Sequence, residues 1–130
     1  MSAQWIYIFA VASGSALGGV LRFLTREYLP VLVPIDFPIG TLVVNVLGCF
    51  VAGILLIYWQ GVQVNPVLKA AIMIGFLGAL TTFSSFSVDT LVLFQEQQFI
   101  KAVTNVALNM ALSLIAVFLG AWIGGRITQI

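Results

Sequence analysis

Charge is nearly absent from this chain, and its placement divides the sequence. Five Lys and Arg and four Asp and Glu serve 130 residues, and residues 1–21, 37–68, 70–88 and 102–125 carry none at all. A helix crosses the hydrocarbon of a bilayer in roughly 20 apolar residues, so each interval admits one crossing and a fifth does not fit. Water is excluded as the main solvent. The chain is 62% hydrophobic and 7% charged, with a mean hydropathy of +1.17. A soluble domain is nearer half apolar and about a quarter charged, and so short a chain cannot hide that much apolar surface inside itself. A net charge of +1 also leaves no basic footprint for a nucleic acid.

These intervals predict an all-α membrane protein with four transmembrane helices over about 5–24, 39–59, 66–94 and 99–125. Residues 1–130 are expected to form a single membrane domain in contact with lipid, with no soluble part. The first span is expected to be a retained helix and not a signal peptide, since no basic residue precedes its apolar run and Trp5 and Tyr7 sit where interfacial aromatics gather. The stretch from Glu27 to Pro38 holds Pro30, Pro34 and Pro38, and is expected to be a rigid non-helical link. Tyr58 and Trp59 mark the interfacial end of the second span, and Pro66 opens the third in the first-turn position that tolerates it. Gly14 with Gly18, and Gly120 with Gly124, are small-xxx-small pairs that admit a close helix neighbour.

Histidine is absent and Cys49 is the only cysteine. The commonest general base and metal ligand is therefore missing, and Ser/His/Asp catalysis, zinc sites and haem ligation by His are excluded. Cys49 reads as a small packing residue. The sequence does not point to an enzyme.

The third span carries its own interruption, expected near residues 75–82. Gly75 and Gly78 weaken the helix from one side, and hydroxyls crowd Thr81 to Ser87, with Phe83 and Phe86 between them. Clustered hydroxyls compete for backbone hydrogen bonds, and irregular backbone at membrane depth persists only where it lines a cavity or is buried in protein. The freed carbonyl oxygens suit a hard cation such as Na⁺. A merely kinked structural helix is the other reading of this segment. Asn45 lies amid Val43, Val44, Val46 and Leu47, and Asn105, Asn109 and Ser113 repeat at helical spacing on the fourth span. Carboxamides at such depth need partners. Glu27, Asp36 and Glu96 fall in loops and Asp89 toward the end of span three, so no acid occupies the apolar centre of a span. The remaining hydroxyl, amide and aromatic-edge groups suit a small anion better than a cation.

With four crossings, Lys69 and Arg126 share one side while Arg22, Arg26 and Lys101 share the other. So slight a cation bias permits insertion both ways round, and hence an antiparallel dual-topology homodimer; a single orientation fixed by a cellular cue is the alternative. The two Gly-bearing helix faces and the small size of a four-helix chain also favour a dimer.

Three segments resemble the Fluc/CrcB family of fluoride channels. They are Gly18-Gly19-Val20-Leu21-Arg22-Phe23, Gly40-Thr41-Leu42-Val43-Val44-Asn45-Val46-Leu47-Gly48-Cys49-Phe50, and Gly75-Phe76-Leu77-Gly78-Ala79-Leu80-Thr81-Thr82-Phe83-Ser84-Ser85-Phe86. The resemblance covers the first three helices and places the fourth by position. It implies an antiparallel homodimer in the cell inner membrane that conducts fluoride passively out of the cytoplasm through two pores. It implies a central structural Na⁺ on the backbone carbonyls of Gly78 and Thr81, with Phe83 and Phe86 meeting fluoride edge-on. It further implies Asn45 as the pore asparagine, Ser84, Ser85, Asn109 and Ser113 along a polar track, and Arg22 near the vestibule. Ser85 stands where the family often has Thr, and Val117 where some members have a second hydroxyl. A small dual-topology multidrug or guanidinium exporter fits the length and charge equally well, but those couple to protons through an acid in the first helix, and no acid precedes Glu27. A non-transporting assembly subunit would leave Asn45 and the hydroxyl run without a purpose.

Overall fold

The computed structural model describes residues 2–129 as helices joined by short links. Helix α1 is Ala3–Leu32 and α2 is Ile39–Gly61. The third span divides into α3, residues 66–80, and α4, Phe83–Gln95, with Thr81 and Thr82 between them. Helix α5 is Phe99–Ile127. Four stretches, Ala3–Leu32, Ile39–Gly61, Pro66–Gln95 and Phe99–Ile127, are long and apolar enough to cross a membrane, and the protein is a multi-pass membrane protein. Burial runs opposite to that of a soluble domain. The two most completely buried large side chains are polar, Asn105 and Thr41, while Ile100, Phe118 and Phe83 are 85%, 74% and 71% exposed. Apolar side chains that face outward are at no disadvantage in lipid, whereas polar groups there must find partners inside the protein.

Helix α1 is longer than expected. It runs through Pro30 to Leu32, because one proline removes a single intrahelical donor near the end of a long helix, and Val33 N–H still closes on Leu29 C=O at 2.9 Å. The rigid link is thus confined to residues 33–38. There Ile35, Phe37 and Ile39 N–H each donate to the carbonyl two residues back, at 2.8 Å. These are γ-turns, and Pro38 at φ −75°, ψ 66° has the backbone of the inverse form. The start of α3 follows expectation: Pro66 takes the first turn, and the Asn65 side chain caps it by accepting from Val67 N–H at 2.8 Å.

Both glycine pairs act within the chain. Gly14 and Gly18 lie on the backbone of α3, where a Cβ would run into the carbonyl oxygens of Ala71 and Phe76, and Gly120 and Gly124 lie likewise on the carbonyls of Phe50 and Ile54 in α2. Helices α1 and α3 therefore pack side by side and run the same way, as do α2 and α5. The expectation that these faces serve a dimer is corrected: a second copy cannot use a surface already closed by backbone contact. Residues 70–77 of α3 wind in wider π-type turns, and within them Gly75 meets the Val11 carbonyl of α1. Gly75 serves close packing there, and the chain leaves the helix only at Thr81 and Thr82.

Candidate functional site

The interruption is two residues long. Thr81 (φ −79°, ψ 148°) and Thr82 (φ −152°, ψ 119°) are extended, which strips the flanking turns of their usual hydrogen bonds. Asn45, projecting from α2, replaces two of them. Its Oδ1 accepts from Thr82 N–H at 2.7 Å, and its Nδ2 donates to Thr82 C=O at 3.1 Å. The second Nδ2 hydrogen goes to Asn109 Oδ1 at 2.9 Å. Asn109 Nδ2 donates in turn to the backbone and side-chain oxygens of Asn105, at 2.9 and 3.0 Å. Asn105 donates to Thr90 Oγ1 at 3.0 Å, and Thr90 donates to Phe86 C=O at 2.7 Å. A continuous polar chain thus ties α2 and α5 to Thr82 and to the first two turns of α4. The asparagine stripe of the fourth span faces inward as part of it.

Four carbonyls, those of Gly78, Ala79, Leu80 and Thr81, lose their ordinary donors. In an unbroken helix Gly78 C=O would accept from Thr82 N–H, which here serves Asn45, and Thr81 C=O would accept from Ser85 N–H, which here caps onto Thr82 Oγ1 at 3.1 Å. Both are hard oxygen donors, Gly78 in the last turn of α3 and Thr81 in the extended segment. Among the described residues no cluster of His, Cys, Asp or Glu could hold a metal, so any cation at this point would depend on such carbonyls. Gly78 is exposed, and a Cβ there would meet the Met73 carbonyl oxygen of the same helix at an ordinary contact distance of 3.7 Å.

Beside the interruption lies a cavity of about 230 Å³ lined by Asn45, Asn109, Ser113, Thr81, Phe83 and Phe86, with Cys49 and Met110 also on its wall. Phe83 and Phe86 meet edge to face, centroids 4.6 Å apart at 81°. Phe86 is buried at 6% and Phe83 projects outward, so one ring forms wall and the other rim. Ser113 Oγ is the buried side-chain oxygen that has no hydrogen-bond partner among the described residues. The first turn of α4 begins at this cavity, and its free N–H groups give that end partial positive charge.

Five of the eight residues expected along the pore, Asn45, Phe83, Phe86, Asn109 and Ser113, come together here, with Thr81 of the expected cation site beside them. Three do not. Ser84 is exposed and lies 3.2 Å from Thr82 Oγ1. Ser85 and Arg22 line a separate, more polar cavity of about 360 Å³ with Gly19, Arg26 and Glu27. Sequence reasoning passed over Arg26, Thr41 and Asp89. Arg26 pairs with Asp89 at 3.0 Å and donates to Ser85 Oγ at 3.2 Å, and the buried Thr41 donates to Asp89 Oδ2 at 2.6 Å. The available signal was position: Asp89 is the only acid between Lys69 and Glu96, and Thr41 directly follows Gly40 at the start of α2.

A profile of the family described as CrcB-like protein, camphor resistance (CrcB), matches residues 9–121. The chain belongs to the CrcB family. The match runs through Asn105, Asn109 and Ser113, so it takes in the fourth helix that the three motifs leave uncovered. Relatives named fluoride-specific ion channel FluC agree over most of their length. That of Shewanella sp. strain W3-18-1 is 46% identical over 113 residues, which is 87% of this chain and 91% of the relative. That of Shewanella loihica is 46% identical over 110 residues, 85% and 89% of the two chains, and that of Shewanella baltica strain OS185 is 47% identical over 113 residues, 87% and 91%. These relatives bear the name of ion channels, the family is not one of enzymes, and the exporter reading gains no support.

Proposed function

We propose that the protein is a fluoride-selective passive channel, embedded in the cell inner membrane, through which fluoride leaves the cytoplasm. The observation that carries this reading is the cavity at the interruption. It offers a buried hydroxyl without a partner, paired aromatic edges and a helix N-terminus, and its lining contains no carboxylate. Fluoride is small and strongly hydrated, so a pore must replace its water with close donors. Ser113 supplies O–H, the ring edges of Phe83 and Phe86 supply their positive rims, and the first turn of α4 supplies backbone N–H. Asn45 and Asn109 have their N–H groups engaged, so they hold the walls apart and the interruption open. The names of the relatives support fluoride as the permeant ion.

The functional unit in this reading is an antiparallel homodimer of two oppositely inserted copies, with two pores and one central structural Na⁺. The exposed flank of Gly78 and the outward Phe83, both at the interruption, support its burial against a second copy. The Gly78 and Thr81 carbonyls fit a hard cation, since each has lost its helical donor. When bound, Na⁺ supplies a fixed positive charge that offsets the cost of an anion in a low-dielectric surrounding. Arg22, with Ser85, lies on the polar cavity that would serve as the vestibule, and Ser84 lies beside Thr82 on the hydroxyl track.

The test is fluoride efflux from proteoliposomes loaded with potassium fluoride, started with a potassium ionophore and followed with a fluoride electrode. The unaltered protein releases fluoride rapidly, and Phe83→Ile and Phe86→Ile release it slowly while remaining folded dimers. Normal flux in both variants would remove the aromatic pair from the pathway.

A further inference from the structure

We propose that the groove between the end of α2 and the start of α3 binds an anionic phospholipid, with one acyl chain along its floor and the phosphate on Lys69. The groove, about 480 Å³, is bounded by Leu56 and Trp59 on one side and by Pro66, Lys69, Met73 and Ile74 on the other. Its polar feature is a cation without a counter-charge. The ion pairs among the described residues join Arg26 to Asp89 and Lys101 to Asp36, and leave Lys69 without a carboxylate. Lys69 Nζ is instead steered toward the groove rim by the Trp59 carbonyl at 3.5 Å and the Trp59 ring at 5.9 Å. Such a contact orients an ammonium and leaves its charge uncompensated.

Charge complementarity at the scale of the whole chain selects the occupant. The helix directions put Glu27, Asp36, Asp89 and Glu96 all at the opposite membrane face, so this face holds Lys69 and Arg126 and none of the four acids. Arg126 rests over the Trp122 ring at 5.0 Å, a second cation seated on an interfacial tryptophan. An apolar trough that opens to the bilayer and ends at an uncompensated ammonium beside a tryptophan matches a lipid with one negative charge and an acyl chain. A zwitterionic headgroup would bring its own cation against Lys69. The site is independent of the fluoride pathway.

The experiment uses the Trp5→Phe/Trp122→Phe protein, in which Trp59 is the one tryptophan left of the three. It is reconstituted in mixed bilayers containing phosphatidylglycerol or phosphatidylcholine brominated near the headgroup, and Trp59 quenching gives the relative association of the two. Phosphatidylglycerol should be preferred about fivefold, the effect of one lysine near an anionic headgroup. Lys69→Gln should remove the preference, and Ala70→Phe, which puts a ring on another residue that lines the groove, should reduce quenching by both lipids. A protein keeping only Trp5 should show no preference. Equal quenching in the parent protein, or a preference that survives Lys69→Gln, would overturn the proposal. So would weak quenching by both lipids, which would mean that protein covers the groove.

Discussion

Asn45 pairs with Thr82 edge to edge, its carboxamide taking both the N–H, at 2.7 Å, and the C=O, at 3.1 Å, of a single extended residue. A side chain on α2 thus stands in for the neighbouring strand that an extended residue would otherwise need. It lets a helix open inside the membrane with the N–H and C=O of Thr82 satisfied. The same carboxamide passes its remaining hydrogen to Asn109, so the interruption is fixed from two helices at once.

Asn45→Ala is therefore expected to be a folding defect before it is a conduction defect. It strands the Thr82 N–H and C=O and the Asn109 oxygen in a buried setting, at a cost of about 1–3 kcal/mol for each unpaired group. Unfolding in detergent, followed by helical circular dichroism, should begin at clearly lower denaturant. An unchanged transition would show that the pairing does not hold the interruption.

Ser113→Ala is expected to behave in the opposite way. Its hydroxyl makes no hydrogen bond among the described residues, so its loss leaves stability within about 0.5 kcal/mol, the usual range for a change that breaks no contact. Fluoride flux should fall at least several-fold, because the cavity loses its free O–H donor. A stable variant with undiminished flux would take Ser113 out of the pathway.

Gly18 and Gly19 are neighbours with contrary demands. A Cβ on Gly18 meets the Phe76 carbonyl, whereas one on Gly19 meets nothing within 4 Å. Gly18→Ala should destabilise by about 1–3 kcal/mol, as overpacking does. Gly19→Ala should be neutral or stabilising by up to about 1 kcal/mol, the helix-propensity gain. Thermal unfolding of the two variants side by side checks this, and equal effects would contradict the close α1–α3 packing.

Arg26 and Thr41 act on one carboxylate, Asp89. Thr41→Val and Arg26→Gln should each destabilise by about 1–3 kcal/mol, the range for hydrogen bonds to a charged group, with the exposed Arg26 at the lower end. The double variant should differ from the sum by at least about 0.5 kcal/mol. Strict additivity in chemical denaturation would mean that the cluster is not coupled.

Charge spacing made the four spans legible, because nine charged side chains cannot be hidden in lipid and so mark the ends of what lies in it. The Gly-rich and Thr-rich third span signalled an interruption, but not its length. Gly75 weakens a helix in principle, yet here it serves contact with Val11, and only Thr81 and Thr82 leave the helix. Pro30 read as a breaker because composition alone does not show that Val33 can still bond to Leu29. Asn45, Asn109 and Ser113 were visible as polar residues in apolar surroundings. Their partners were not, since Thr82 and Asn105 are brought to them by packing between helices distant in sequence. Arg26 and Asp89 escaped for the same reason: 63 residues separate them, and a charge near a span end looks like any boundary charge until the helices are set side by side.

The central claim is that this cavity passes fluoride and refuses other small anions. The most direct measurement compares release of fluoride and of chloride from matched proteoliposomes carrying the purified protein, each started with a potassium ionophore. Rapid fluoride release with chloride release no faster than from protein-free liposomes is the predicted result. Equal release of both ions, or silence with a folded protein, would contradict it.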